Sequence, residues 1–137
     1  MKDGYAVVEK ISIPSDFGSI NKVESLIDSI CSKLSIKEDY YGNVLIAVTE
    51  AVNNAIQHGN NQDASLEVDV AVGDKPTDFC FSIQDQGNGF DYDNLPDPTA
   101  PENIEKEHGR GIFLMRSLAE EVEFQDNGRN VTIYFSK

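Results

Sequence analysis

Apolar and polar positions along the 137 residues change period several times, and each change predicts an element. Ala6, Val7, Val8, Ile11 and Ile13 make an apolar-rich run from Tyr5 to Ile13 that stops at Pro14, which has no N–H for a ladder, so a strand is expected there. Ser15 or Asp16 is then placed to cap a helix. From Phe17 to Leu34 the residues Ile20, Val23, Ile27, Ile30, Cys31 and Leu34 recur at spacings of three and four, the stripe of a half-buried helix. A second helix is predicted from Lys37 to His58, with Tyr41, Val44, Leu45, Val48, Val52, Ala55 and Ile56 on one side and Gly59-Asn60 as its stop. Leu66, Val68, Val70 and Val72 then alternate with polar or small residues, as do Phe79, Phe81 and Ile83, predicting two antiparallel strands joined through Gly73-Asp74-Lys75-Pro76. Phe90 to His108 carries Pro96, Pro98 and Pro101 and no period, which predicts a long loop. A helix follows from about Gly111 to Ala119. Val122 to Phe124 and Val131 to Phe135 form a last hairpin across Asn127-Gly128. The expected fold is α+β, one domain over residues 1–137: a two-layer α/β sandwich whose mixed, mostly antiparallel sheet has its helices on one face and the other face open.

Composition narrows the partners. Hydrophobic residues at 39% and charged residues at 26% fit a globular protein, and no apolar run approaches the roughly 20 residues of a membrane span. Met1 to Lys10 lacks the basic start and apolar stretch of a secretory signal, so a cytoplasmic location is expected. Cys31 and Cys80 lie in apolar segments without ligand spacing and read as buried thiols. The net charge of -13 opposes direct nucleic-acid binding, since no Lys/Arg cluster offsets it. An acidic surface suits a basic protein partner, or simply keeps the chain soluble.

Three short motifs can carry chemistry. On the second predicted helix Glu50, Asn54 and His58 fall at successive i, i+4 steps, away from the aliphatic stripe. A carboxylate and a carboxamide one turn apart can deprotonate a hydroxyl and hold Mg²⁺ among phosphates, or can be one solvated polar face. Asp85-Gln86-Gly87-Asn88-Gly89 directly follows a strand. Its glycines permit close approach of a ligand and its carboxylate can accept from the amino group of adenine, although Asp and Gly also make ordinary turns. Gly109-Arg110-Gly111 closes the long loop and opens a helix, a setting for phosphate or for a hinge. No GxxxxGK[ST] phosphate loop occurs, and Gly87-x-Gly89 lacks the third glycine and βαβ setting of a dinucleotide fold.

The order and spacing of Glu50-Ala-Val-Asn-Asn54-Ala-Ile-Gln-His58-Gly59, Asp85-x-Gly87-x-Gly89 and Gly109-x-Gly111 resemble the N, G1 and G2 boxes of the GHKL ATPases. Within that superfamily the chain is similar to the anti-sigma-factor serine/threonine kinases, through its length, His58-Gly59, and Pro96-Asp97-Pro98 leading into Gly109-Arg110-Gly111-Ile112-Phe113-Leu114-Met115. The resemblance implies a Bergerat fold binding ATP and Mg²⁺ beneath a lid at about residues 92–108. It implies Glu50 as general base, Asn54 as Mg²⁺ ligand, Asp85 as adenine acceptor, Gly87 and Gly89 as its backing turn, and Gly109 and Gly111 at the phosphates. His58 belongs to the same ATP-binding set, and Lys106, His108 and Arg110 are the cations that flank the phosphate motif. Where the family often has Gly-Thr, this chain has Gly128-Arg129-Asn130, which leaves Thr132 as the substitute hydroxyl.

The implied activity is phosphorylation of a STAS-domain anti-sigma-factor antagonist by a kinase that also sequesters a sigma factor and forms a homodimer. The alternative is a non-catalytic module of the same fold in which ATP gates protein binding. A detached histidine-kinase catalytic domain is disfavoured because no phosphoacceptor helix is visible in the chain.

Overall fold

The computed structural model describes residues 1–87 and 107–137. Its strands are β1 (Ala6–Pro14), β2 (Glu67–Lys75), β3 (Asp78–Gln84), β4 (Glu121–Gln125) and β5 (Asn130–Ser136). They form one sheet in the order β1-β2-β3-β5-β4. The helices are α1 (Ile20–Lys33), α2 (Glu38–Asn54) and α3 (Glu107–Leu118). Every pairing among the described strands is antiparallel, so the expected mixed element is absent there. The crossover through α3 carries the chain past the position next to β3, and β5 fills that position in the opposite direction.

Register explains the two layers. Ile11 faces Val70, Ile13 faces Val68, Val72 faces Phe81, and Phe81 faces Ile133 in turn, so the alternating apolar sets of adjacent strands lie on one side. Against that side α1 buries Val23, Leu26, Ile27, Ile30 and Cys31, and α2 buries Val44, Ala47, Val48, Ala51 and Val52. These residues belong to one core with Phe79, Ile83, Ile112 and Met115. Each fully buried aliphatic or aromatic side chain contributes about 1.5–3 kcal/mol before conformational entropy is subtracted. Cys31 and Cys80 are buried free thiols, as the sequence predicts.

Several boundaries differ from the sequence reading. Pro14 is the last residue of β1, which the sheet order makes an edge strand, where a missing N–H is tolerated. Asp16 stands at the N-cap of a 3-10 turn, Phe17–Ser19, and its carbonyl accepts from the Ser19 N–H at 3.1 Å, but its side chain caps no helix N–H. Ser15 is instead fully buried, donating to the Leu66 carbonyl at 2.8 Å and accepting from Asn60 Nδ2 at 2.8 Å. Strand β2 runs on through Asp74 and Lys75, and the chain turns at Pro76-Thr77 into β3. The final hairpin turns through Asp126, Asn127 and Gly128 at φ 53°, 56° and 84°, a longer left-handed turn than the two residues expected.

The sheet's other face carries no helix among the described residues, but the N-terminus covers one end. The Lys2 N–H donates to Tyr134 Oη at 2.9 Å, and the rings of Tyr5 and Tyr134 lie 5.5 Å apart. Among the described residues, no helix is long and apolar enough to cross a membrane.

Candidate functional site

Helix α2 does not end as a plain α-helix. Ala55–Gly59 forms a π-helical turn, closed by the Asn60 N–H to the Ala55 carbonyl at 2.8 Å. The extra residue per turn breaks the strict four-residue ridge expected through His58. Glu50 and Asn54 therefore stay one α-turn apart, whereas half-buried His58 sits on the widened turn.

The same turn delivers Gly59 onto the end of β3. A Cβ added at Gly59 would lie 2.4 Å from both Cγ and Oδ2 of Asp85, and one added at Gly87 would lie 1.7 Å from the Gly59 carbonyl oxygen. These two glycines are required by close approach. Asp85, 6% exposed, accepts from the Gly87 N–H through Oδ1 at 2.9 Å. Buried Asn60 braces the turn: its Oδ1 accepts from the Gln86 N–H at 2.8 Å and its Nδ2 donates to the Glu67 carbonyl at 3.1 Å. In the sequence Asn60 reads only as a helix stop, because nothing local separates a turn asparagine from a buried brace.

Asp85 forms part of a narrow cavity of about 20 Å³ lined also by Asn54, Gly59, Met115, Phe124 and Arg129. The Arg116 guanidinium lies 5.5 Å from the Phe124 ring centre and holds that wall from outside. Gly111 adjoins the lining residue Ile112: a Cβ there would be 2.9 Å from Glu50 Oε2 and 3.2 Å from Asn54 Nδ2. Asn54 Nδ2 is buried and has no hydrogen-bond partner among the described residues. An unsatisfied amide N–H donor against the Gly111 turn of α3 fits an anionic oxygen as its acceptor, since such an orphan costs about 1–3 kcal/mol without a partner.

The structure thus brings Glu50, Asn54 and Gly111 together, and beside them Asp85 and Gly87. His108, Gly109 and Arg110 lie in the first turn of α3, which begins at Glu107, so the helix starts before the glycine motif. Gly111 inside a helix costs about 1 kcal/mol relative to Ala, and a Cβ there would displace the side-chain tips of Glu50 and Asn54. Gly89, Lys106 and residues 92–106 of the expected lid are outside the described residues. Thr132 does not join the site. Its neighbours Val131 and Ile133 point into the core, so alternation puts Thr132 on the opposite sheet face, where its Oγ1 is 3.3 Å from Ser82 Oγ. Arg129, a departure in the sequence, is instead in the cavity wall.

Comparison with known proteins agrees with this geometry: the description "histidine kinase-like ATPase domain" matches residues 13–136. The chain belongs to this family. Among curated relatives, the serine-protein kinase RsbW of Bacillus velezensis is 29% identical over 134 residues, covering 93% of this chain and 83% of the relative. The protein of the same name from Bacillus subtilis is 27% identical over 143 aligned positions, covering 100% and 88%. That of Bacillus licheniformis is 33% identical over 114 residues, covering 78% and 71%.

Within this family member, burial holds the Asp85 carboxyl above the ordinary carboxylate range, opposed by the Gly87 N–H and Arg129 and assisted by Asp126. The folded state therefore favours the proton. The stabilisation linked to it is complete below the unfolded value of 3.8 and is lost as pH rises through the higher folded value. Asp85→Asn is expected to raise the neutral-pH Tm of the ligand-free protein and flatten its decline between acid and neutral pH. Thermal melts across that range check this; a lower neutral-pH Tm for the variant contradicts it.

Proposed function

We propose that the chain is an ATP-dependent serine/threonine protein kinase of the anti-sigma-factor class, which binds a sigma factor and phosphorylates a STAS-domain antagonist. The observation that carries this reading is the apposition of Glu50, Asn54 and Gly111, with Asn54 also lining the Asp85 cavity. It is supported by relatives named serine-protein kinases that align with 93% and 100% of the chain.

Asp85 accepts from the amino group of adenine, with Gly59 and Gly87 keeping the carboxylate uncovered. The first turn of α3, which begins at Glu107 ahead of Gly111, offers backbone N–H groups to the phosphates. Asn54 would hold Mg²⁺ through its carboxamide oxygen, and the ion supplies charge neutralisation at the transferring phosphoryl group. Glu50 orients the serine hydroxyl of the partner and takes its proton as the oxygen attacks the γ-phosphorus and the bond to the β,γ-bridging oxygen breaks, releasing ADP. Because Glu50 and Asn54 share one helix face, the base and the phosphate-side ligand are held in fixed relation.

Arg129 bears on the reading of a binding module without catalysis. Its Nε donates to the Gly87 carbonyl and its Nη1 to Asp126, both on the base side, so it takes nothing from the phosphate-side cluster. Incubating the full chain with Mg²⁺, γ-labelled ATP and a STAS-domain partner tests the proposal. Label is expected on a partner serine or threonine; ATP binding with no transfer to any such partner favours the gated module instead.

A further inference from the structure

Arg129 touches two turns at once. Its Nε donates to the Gly87 carbonyl at 2.8 Å and its Nη1 to Asp126 Oδ1 at 2.9 Å. Its own carbonyl accepts from the Asp85 N–H at 2.9 Å. Gly87 in turn donates its N–H to Asp85 Oδ1 at 2.9 Å. A closed circuit therefore runs from the guanidinium through Gly87 to the carboxylate in the cavity wall and back along the backbone to Arg129.

The approach depends on the hairpin turn. Asp126 and Asn127 both hold left-handed backbone, at φ 53° and 56°, which costs about 1–2 kcal/mol for a residue with a Cβ. Arg129 holds Asp126 in that state twice, through its N–H to the Asp126 carbonyl at 3.0 Å and through Nη1 to the side chain.

We propose that Arg129 is a positioning residue that sets base selectivity: by fixing Gly87 it fixes the Asp85 carboxylate as an acceptor that admits an amino-bearing purine and rejects a keto-bearing one. This rests on the nucleotide reading given above. Oδ1 of Asp85 is occupied by the Gly87 N–H, and Oδ2 lies beside the space that Gly59 leaves open. An amino group donates to Oδ2. A keto oxygen in its place sets lone pair against lone pair in a site where Asp85 is too buried for water to intervene. A carboxyl free to turn and to take up a proton would donate to the keto oxygen and lose the distinction. Burial and the Asp126 charge both favour that proton, and among the described charged groups acting on Asp85, Arg129 opposes it.

The test compares ATP with inosine triphosphate, which carries a keto oxygen where adenine has its amine, by calorimetry with Mg²⁺ on the full chain. The wild type is expected to prefer ATP by about 100-fold or more. Arg129→Ala should narrow that ratio at least about tenfold, chiefly by gaining inosine triphosphate relative to ATP, and Arg129→Lys, which keeps the charge and a donor for Gly87, should recover most of it. If Arg129→Ala does not fold, Arg129→Met keeps the side-chain stem and takes its place. An unchanged ratio, or equal loss of both nucleotides, overturns the proposal, the second result marking a purely structural side chain. Wild type that binds both nucleotides equally also overturns it while leaving the nucleotide reading intact; wild type that binds neither removes both.

Discussion

Glu50→Gln is expected to bind ATP within a few-fold of wild type and to transfer its phosphate about 10²–10⁴ times more slowly, the usual worth of a positioned general base. The amide keeps the shape beside Gly111 but cannot accept the hydroxyl proton. Single-turnover transfer to the partner, read beside calorimetric binding, separates the two effects; transfer at the wild-type rate would remove Glu50 from the chemistry. Gly111→Ala is the companion variant. Its Cβ would press on Glu50 Oε2 at 2.9 Å and Asn54 Nδ2 at 3.2 Å, the far ends of flexible side chains that can swing away. Ala is favoured over Gly in a helix by about 1 kcal/mol, so this variant should melt no lower than wild type yet lose transfer, because both groups leave their positions.

The second large effect is expected at Gly87. An added Cβ would sit 1.7 Å from the Gly59 carbonyl oxygen, which is backbone and cannot rotate aside. Either the Asp85-Gln86-Gly87 turn or the π turn must move. Overpacking of this kind costs about 1–3 kcal/mol, and the displaced turn withdraws the N–H from Asp85 and the carbonyl from Arg129. Gly87→Ala should therefore lower the Tm and weaken ATP binding by about 10–100-fold, the worth of one hydrogen bond to a charged group. Wild-type affinity together with an unchanged melt would mean that the turn is not the base site. The contrast with Gly111→Ala is informative, since one glycine faces backbone and the other faces side-chain tips.

The helices were legible because burial follows their period: five of the residues from Val23 to Cys31 that α1 buries repeat at helical spacing, and those of α2 do the same. Motif order was equally legible for Glu50, Asn54, Asp85, Gly87 and Gly111. Thr132 shows where a motif argument overrode a better signal. Val131, Ile133 and Phe135 alternate with it, so the pattern already assigned Thr132 to the other face, and the core confirms that alternation. The reach of Arg129 was not legible. It depends on three successive left-handed residues and on a carbonyl 42 residues away.

The sequence by itself determined the periods, hence which residues face the core, and it carried the acid, amide and glycine chemistry of the site. Only the tertiary structure decided that Gly59 lies on Asp85, that Gly111 lies against Glu50 and Asn54, and that Arg129 rather than Thr132 reaches the Asp85-Gln86-Gly87 turn. The physical reason is one of range. Periodicity is set by neighbours along the chain, whereas these contacts need a π turn, a strand register and a helix start to meet within van der Waals distance, and each is fixed by packing against the others.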